Sequence, residues 1–113
     1  MSRDIRLYLE DIIEACEKIL RYTREMSFAQ FAADERTLDA VARNLEIIGE
    51  AARHIPEEIR QRYGEVEWAK IVALRNVVAH KYFGVDEEIL WDIIQNKVPH
   101  LLEHVQHILD AQR

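Results

Sequence analysis

Asp4-Ile5-Arg6-Leu7-Tyr8-Leu9-Glu10-Asp11-Ile12-Ile13-Glu14-Ala15-Cys16-Glu17-Lys18-Ile19-Leu20 decides the fold class. Ile5, Tyr8, Leu9, Ile12, Ile13, Cys16, Ile19, Leu20 and Thr23 recur three and four residues apart, the spacing that gathers side chains on one face of an α-helix. A long amphipathic helix is therefore expected from about Asp4 to Met26. Such a stripe must be buried against other elements, and the rest of the chain offers more of the same kind.

Ser27 suits an N-cap, and Gln30 three residues on completes a capping box before a short helical turn holding Phe28 and Phe31. A second long helix should begin near Asp34, because Leu38, Val41, Ala42, Leu45, Ile48, Gly49 and Ala52 form another continuous stripe. Glycine inside a helix costs about 1 kcal/mol against alanine, so Gly49 points to a close helix-to-helix approach, and Asn44 to a buried polar residue. Pro56 opens a short helical piece ending near Tyr63-Gly64. A third main helix should run from Trp68 to about Lys81, with Gly84 letting the chain leave it. Asp86 can cap a fourth, in which Ile89, Leu90, Ile93 and Ile94 face inward until Pro99 kinks or restarts it, and Leu101, Leu102, Val105, Ile108 and Leu109 continue the apolar face.

These elements describe an all-α protein: an antiparallel four-helix bundle with short extra helical segments and a kinked last helix. At 113 residues, with three glycines and two prolines, residues 1–113 make a single domain able to bury one core. No apolar run approaches the roughly 20 residues needed to span a bilayer, and Met1-Ser2-Arg3-Asp4 lacks the layout of a secretory signal, so a cytoplasmic protein with no membrane partner is expected. The single Cys16 lies on the first apolar stripe and reads as core. The net charge of −6 argues against a surface that coats nucleic acid, but from Arg53 to Lys81 six Lys/Arg face four Asp/Glu, which leaves room for a local basic patch.

The chemistry concentrates in Arg75-Asn76-Val77-Val78-Ala79-His80-Lys81-Tyr82. RNA carries its own nucleophile, the 2′-hydroxyl; cleavage requires removing its proton, protonating the leaving 5′ oxygen and neutralising the phosphate. No metal or cofactor is obligatory. Arg75 can hold phosphate oxygens through two parallel hydrogen bonds, and His80 can move the proton near neutral pH. Five residues along an ideal helix turn a side chain by about 500°, leaving Arg75 and His80 roughly 140° apart around the axis. Asn76 and His80 share a face, so the asparagine can orient the imidazole. For the pair to converge, Arg75 must curl round, the helix must end before His80, or a second copy must complete the pocket. Spacing alone does not separate this reading from an arginine and a histidine that share a helix by chance.

The run from Leu74 to Asp86, preceded by Trp68 and by Arg43-Asn44-Leu45-Glu46-Ile47-Ile48-Gly49-Glu50-Ala51-Ala52, resembles the HepT-like toxins of the HEPN superfamily over nearly the whole chain. Arg75, Asn76, His80 and Tyr82 fill every place of that family's arginine, four-residue, histidine, any-residue, tyrosine motif. The resemblance implies a helical bundle forming a homodimer with the two motifs facing in a cleft, and a metal-independent ribonuclease acting on cellular RNA, with tRNA a known target class. It also implies a toxin-antitoxin pair whose partner, a minimal nucleotidyltransferase, transfers AMP from ATP to Tyr82. Bulk and negative charge two residues from His80 would oppose the RNA phosphate. The other reading is a non-catalytic HEPN bundle that binds nucleotide or stabilises a nucleotidyltransferase; the plainest is an oligomerising helical bundle.

Other residues attract weaker readings. His100, His104 and His107 share one side of the last helix, but with no cysteine nearby they read as an exposed histidine face rather than a metal site. Glu46 and Glu50 lack the glutamate-then-histidine spacing of di-iron bundles, and a contact of Glu50 with Arg75 across helices is left open. His54 reads as a solvated cap, Arg60 and Arg62 as either a basic rim or a solvated face, and Trp68 and Trp91 as packing residues.

Overall fold

The computed structural model describes residues 3–79 and 87–112, apart from the side chains of Val78 and Ala79. His80, Tyr82, Gly84 and the expected cap at Asp86 lie outside the described residues. Eight α-helices appear among them: α1 (Ile5–Thr23), α2 (Phe28–Ala33), α3 (Glu35–Arg53), α4 (Glu57–Arg62), α5 (Trp68–Val72), α6 (Leu74–Ala79), α7 (Glu87–Asp92) and α8 (Val98–Ala111). A π-helical segment, Ile93–Lys97, joins α7 to α8. The all-α class read from the sequence holds.

α1 starts where Asp4 accepts from the Arg6 amide at 2.9 Å and ends at Thr23, whose hydroxyl donates to the Ile19 carbonyl at 2.8 Å. It therefore stops short of the expected Met26. Ser27 and Gln30 form the capping box of α2, and Asp34 caps α3 by accepting from the Thr37 amide at 3.1 Å. Both starts fall where cap chemistry placed them.

α1 packs along α3 and α8, while α5 and α6 lie on α3. The core closes around Leu9, Ile12, Ile19, Leu45, Ile48 and Val105, all wholly buried, each contributing roughly 1.5–3 kcal/mol. Cys16 is buried with them. Phe31 carries α2 into this core and meets the Trp91 ring at 5.2 Å; the Trp68 indole donates to the Tyr63 carbonyl at 3.1 Å. Both tryptophans thus pack. Asn44 is buried, as expected, and its amide donates back to the Ala40 carbonyl at 2.8 Å.

Two expected helices differ in detail. The third is not continuous: it breaks at Ala73, where the Asn76 amide bonds back three residues to the Ala73 carbonyl at 2.9 Å. The break lies where α3 presses closest, since a Cβ on Gly49 would stand 3.1 Å from the Val72 carbonyl oxygen and 3.2 Å from the Arg75 nitrogen. In the fourth, Pro99 has no amide hydrogen to give, and the turn ahead of it widens so that the Val98 amide reaches back to the Ile93 carbonyl. Leu90 and Ile94 face inward as expected, but Ile89 is exposed: it lies outside the stripe that α7 turns toward α2.

Candidate active site

Arg75 is the second residue of α6, and its position is set by Gly49. A Cβ at Gly49 would meet the Arg75 Cγ at 2.8 Å, closer than packed carbon atoms approach, so the absence of a side chain there is what lets α6 settle on α3. The close approach expected from a mid-helix glycine is real, and the residue that exploits it is the motif arginine.

The next residue on α3, Glu50, turns this approach into an electrostatic contact. Its Oε2 lies 3.2 Å from Arg75 Nη1. Its Oε1 accepts from Arg53 Nη2 at 3.0 Å and meets His54 Nε2 at 3.3 Å. One carboxylate thus gathers two arginines and an imidazole. Hydrogen bonds from Arg53 and then His54, with the nearby Arg75 charge, hold the Glu50 carboxyl below its ordinary range, so it is ionised near neutral pH.

Glu50 and Arg75 are each nearly half exposed, which keeps their pairing weak and exchangeable. A guanidinium has five N–H donors, and one carboxylate oxygen at Nη1 leaves capacity for a planar, two-pronged grip on a phosphate. The carboxylate biases where the arginine points without consuming it. Asn76 follows on the exposed side of α6. His80 and Tyr82, the other two motif residues, lie outside the described residues.

His54 is more than a solvated cap. It does cap α3, but its ring also stacks on Tyr8 of α1 with centroids 4.8 Å apart and planes 12° from parallel. Its contact with Glu50 follows from the four-residue spacing on α3 and was legible in the sequence; its contact with Tyr8 was not, because the two belong to different helices. Arg60 also departs from the rim reading. Its guanidinium donates to the Ile55 carbonyl at 3.0 Å and to the Ala52 carbonyl at 2.8 Å, joining the Ile55 amide on the latter at 3.1 Å and tying the chain just after α3 to α4.

On α8, the His107 ring meets Tyr63 edge to face at 6.2 Å, and His100 and His104 border a groove with Glu67 and Lys97. Among the described residues, no group of three or more His, Cys, Asp and Glu is placed to hold a metal ion. No helix among them is long and apolar enough to cross a membrane.

Comparison with known proteins bears on the family of this helical bundle. Residues 12–108 match the family model described as Ribonuclease HepT-like. The chain is 43% identical over 101 residues to the "Probable ribonuclease HepT" of Thermococcus cleftensis, covering 89% of this chain and 92% of that protein. It is 40% identical over 108 residues to the "Putative RNase MJ0127" of Methanocaldococcus jannaschii, covering 96% and 89%. To the "Putative RNase TTE0752" of Caldanaerobacter subterraneus it is 37% identical over 108 residues, covering 96% of each. No solved structure matches the chain. An all-α bundle matched over nearly its whole length, with the motif arginine presented at its surface, belongs to the HepT-like ribonuclease family of the HEPN superfamily.

Proposed function

We propose that this chain is a metal-independent endoribonuclease and the toxin of a toxin-antitoxin pair. Arg75 binds the scissile phosphate, His80 transfers the proton, and Asn76 orients the imidazole. The 2′-hydroxyl attacks phosphorus, its proton leaves to a base, and the 5′ oxygen departs with a proton, leaving a cyclic phosphate. A homodimer completes the pocket by bringing a second motif opposite the first, near α3 and α6. The substrate class is cellular RNA, with tRNA the first to try.

Regulation follows from Tyr82. A cognate minimal nucleotidyltransferase joins the Tyr82 phenolic oxygen to the α-phosphorus of ATP; the phenol loses its proton and pyrophosphate leaves. The added phosphate repels the RNA backbone from the neighbourhood of His80.

The observation that supports this reading best is the half-exposed Arg75 held through one nitrogen by Glu50, an arginine aimed and still available. The test is to incubate partner-free wild type, Arg75→Ala and His80→Ala with total tRNA in EDTA and resolve the products on a denaturing gel. Cleavage by wild type alone is the expected result. Cleavage by all three removes Arg75 and His80 from the chemistry, and cleavage by none while Tyr82 is unmodified by mass overturns the reading in favour of a binding subunit of a nucleotidyltransferase. Sedimentation showing only monomer at micromolar concentration would remove the shared pocket, and an unchanged Tyr82 mass after co-expression with the cognate enzyme would remove the regulation.

A further inference from the structure

Beside Arg75 lies a cleft that the proposed proton transfer does not use. The start of α1 and the second half of α3 enclose about 390 Å³, within the range of small-ligand sites, roughly 300–1,000 Å³. Tyr8, Arg43, Glu46, Glu50 and His54 line it. Glu50 belongs to both places, as a wall of the cleft and as the ion partner of Arg75.

Its charges sort into those already used and those left over. Arg3 and Asp11 pair with each other at 2.6 Å, and Glu50 is shared among Arg53, His54 and Arg75. Arg43 and Glu46 have no ion-pair partner among the described residues, and both are exposed on α3. The cleft also has an aromatic wall: Tyr8 stacks on the His54 imidazole, whose side chain stays 39% exposed, and the Arg3 guanidinium lies 4.9 Å from the Tyr8 ring centre. A ring to stack on, one spare cation and one spare hydrogen-bond acceptor are what a single nucleotide requires.

We propose that this cleft is a subsite for one unpaired nucleotide of the RNA strand next to the cleaved phosphate. The base stacks on the face of His54 turned away from Tyr8, its N–H groups donate to Glu46, and the flanking phosphate rests on Arg43. A base inside a duplex cannot reach such a wall, so the substrate is single-stranded where it is cut. Acceptance of N–H groups by a carboxylate favours bases that carry them on the exposed edge.

The subsite rests on the ribonuclease reading, and its test separates the two. The probe is a short, fluorescently labelled, single-stranded oligonucleotide with 2′-O-methyl sugars, which binds but cannot be cut because its nucleophile is blocked. Arg43→Ala and His54→Ala are each expected to raise its Kd about tenfold, the scale of losing a stacked base or a backbone contact. Arg24→Ala, at the far end of α1 and outside the cleft, should bind as wild type, and the same oligonucleotide in a duplex should bind more weakly. On cleavable RNA, Arg43→Ala should raise KM about tenfold with kcat within about twofold. Wild-type Kd values in both Arg43→Ala and His54→Ala, or equal affinity for duplex, overturn the subsite. Cleavage that survives Arg75→Ala overturns the Arg75-centred ribonuclease reading instead, whatever the binding data give.

Discussion

Glu50 Oε2 stands 3.2 Å from Arg75 Nη1, bridging α3 to the first turn of α6, while Oε1 of the same carboxylate takes Arg53 and His54. The motif arginine therefore reaches its position through a carboxylate outside the motif. Because all four groups are substantially exposed, the network directs geometry more than it stabilises the fold.

Glu50→Gln keeps the shape and removes the charge. RNA cleavage is expected to fall ten- to a hundredfold, the scale set by a small displacement of a positioning group, while the melting curve stays that of wild type. The hydrogen bonds from Arg53 and His54 lower the Glu50 pKa, so its ionised form, and any stability it adds, is fully present above the ordinary value of 4.5 and lost as pH falls through the lowered one. Unchanged kcat and KM in Glu50→Gln across neutral pH would mean that Arg75 needs no such direction.

Gly49→Ala tests the close approach. The new methyl would meet the Arg75 Cγ at 2.8 Å and two backbone atoms at 3.1 and 3.2 Å, so α6 must shift. Overpacking of this kind costs about 1–3 kcal/mol, offset in part by the better helix propensity of alanine, near 1 kcal/mol. Denaturant titration should show a modest loss of stability, and cleavage should fall more than the stability loss explains, because the shifted atoms belong to Arg75. A variant as active as wild type would show that the contact serves packing alone.

The parts of this molecule that were legible in the sequence are those with local causes. The capping box at Ser27 and Gln30, the Asp34 cap, the buried Asn44 and the stripe positions of α1 and α3 each follow from residues within one or two turns. Gly49 is intermediate: its cost inside a helix announced a close approach, though not the identity of what approaches. The break at Ala73, the exposure of Ile89, the Tyr8–His54 stack and the use of Arg60 were not legible, because each is decided by a neighbouring element. Arg75 could be singled out by the chemistry of its side chain, whereas its aim depends on Glu50 across a helix pair.

Arg60→Ala separates a structural arginine from a nucleic-acid contact. Its guanidinium donates to the Ala52 carbonyl at the end of α3 and the Ile55 carbonyl just past it, and hydrogen bonds from a charged donor contribute roughly 1.5–3 kcal/mol. A loss of about 2 kcal/mol in urea unfolding is expected, with no change in the salt dependence of RNA binding. A shallower salt slope at unchanged stability would return Arg60 to the rim of the binding surface.

Cys16 gives a pH dependence of opposite sign to that of the carboxylates. Burial pushes its thiol up to about 12 from an ordinary 9.0, because the thiolate would lose its hydration inside the core. The unfolded chain therefore ionises first as pH rises. Stability associated with Cys16 is complete below about pH 9 and declines between there and about 12, by at most 1.36 kcal/mol per pH unit. Tyrosines and lysines also titrate in that window, so the readout is the difference between wild type and Cys16→Ala: the gap between their unfolding free energies should narrow as pH rises above 9. A thiol reagent at pH 8 should leave the native protein unlabelled and react as denaturant opens the core, with labelling tracking global unfolding. Rapid labelling of the native protein would place Cys16 at a local opening of α1 rather than in a closed core.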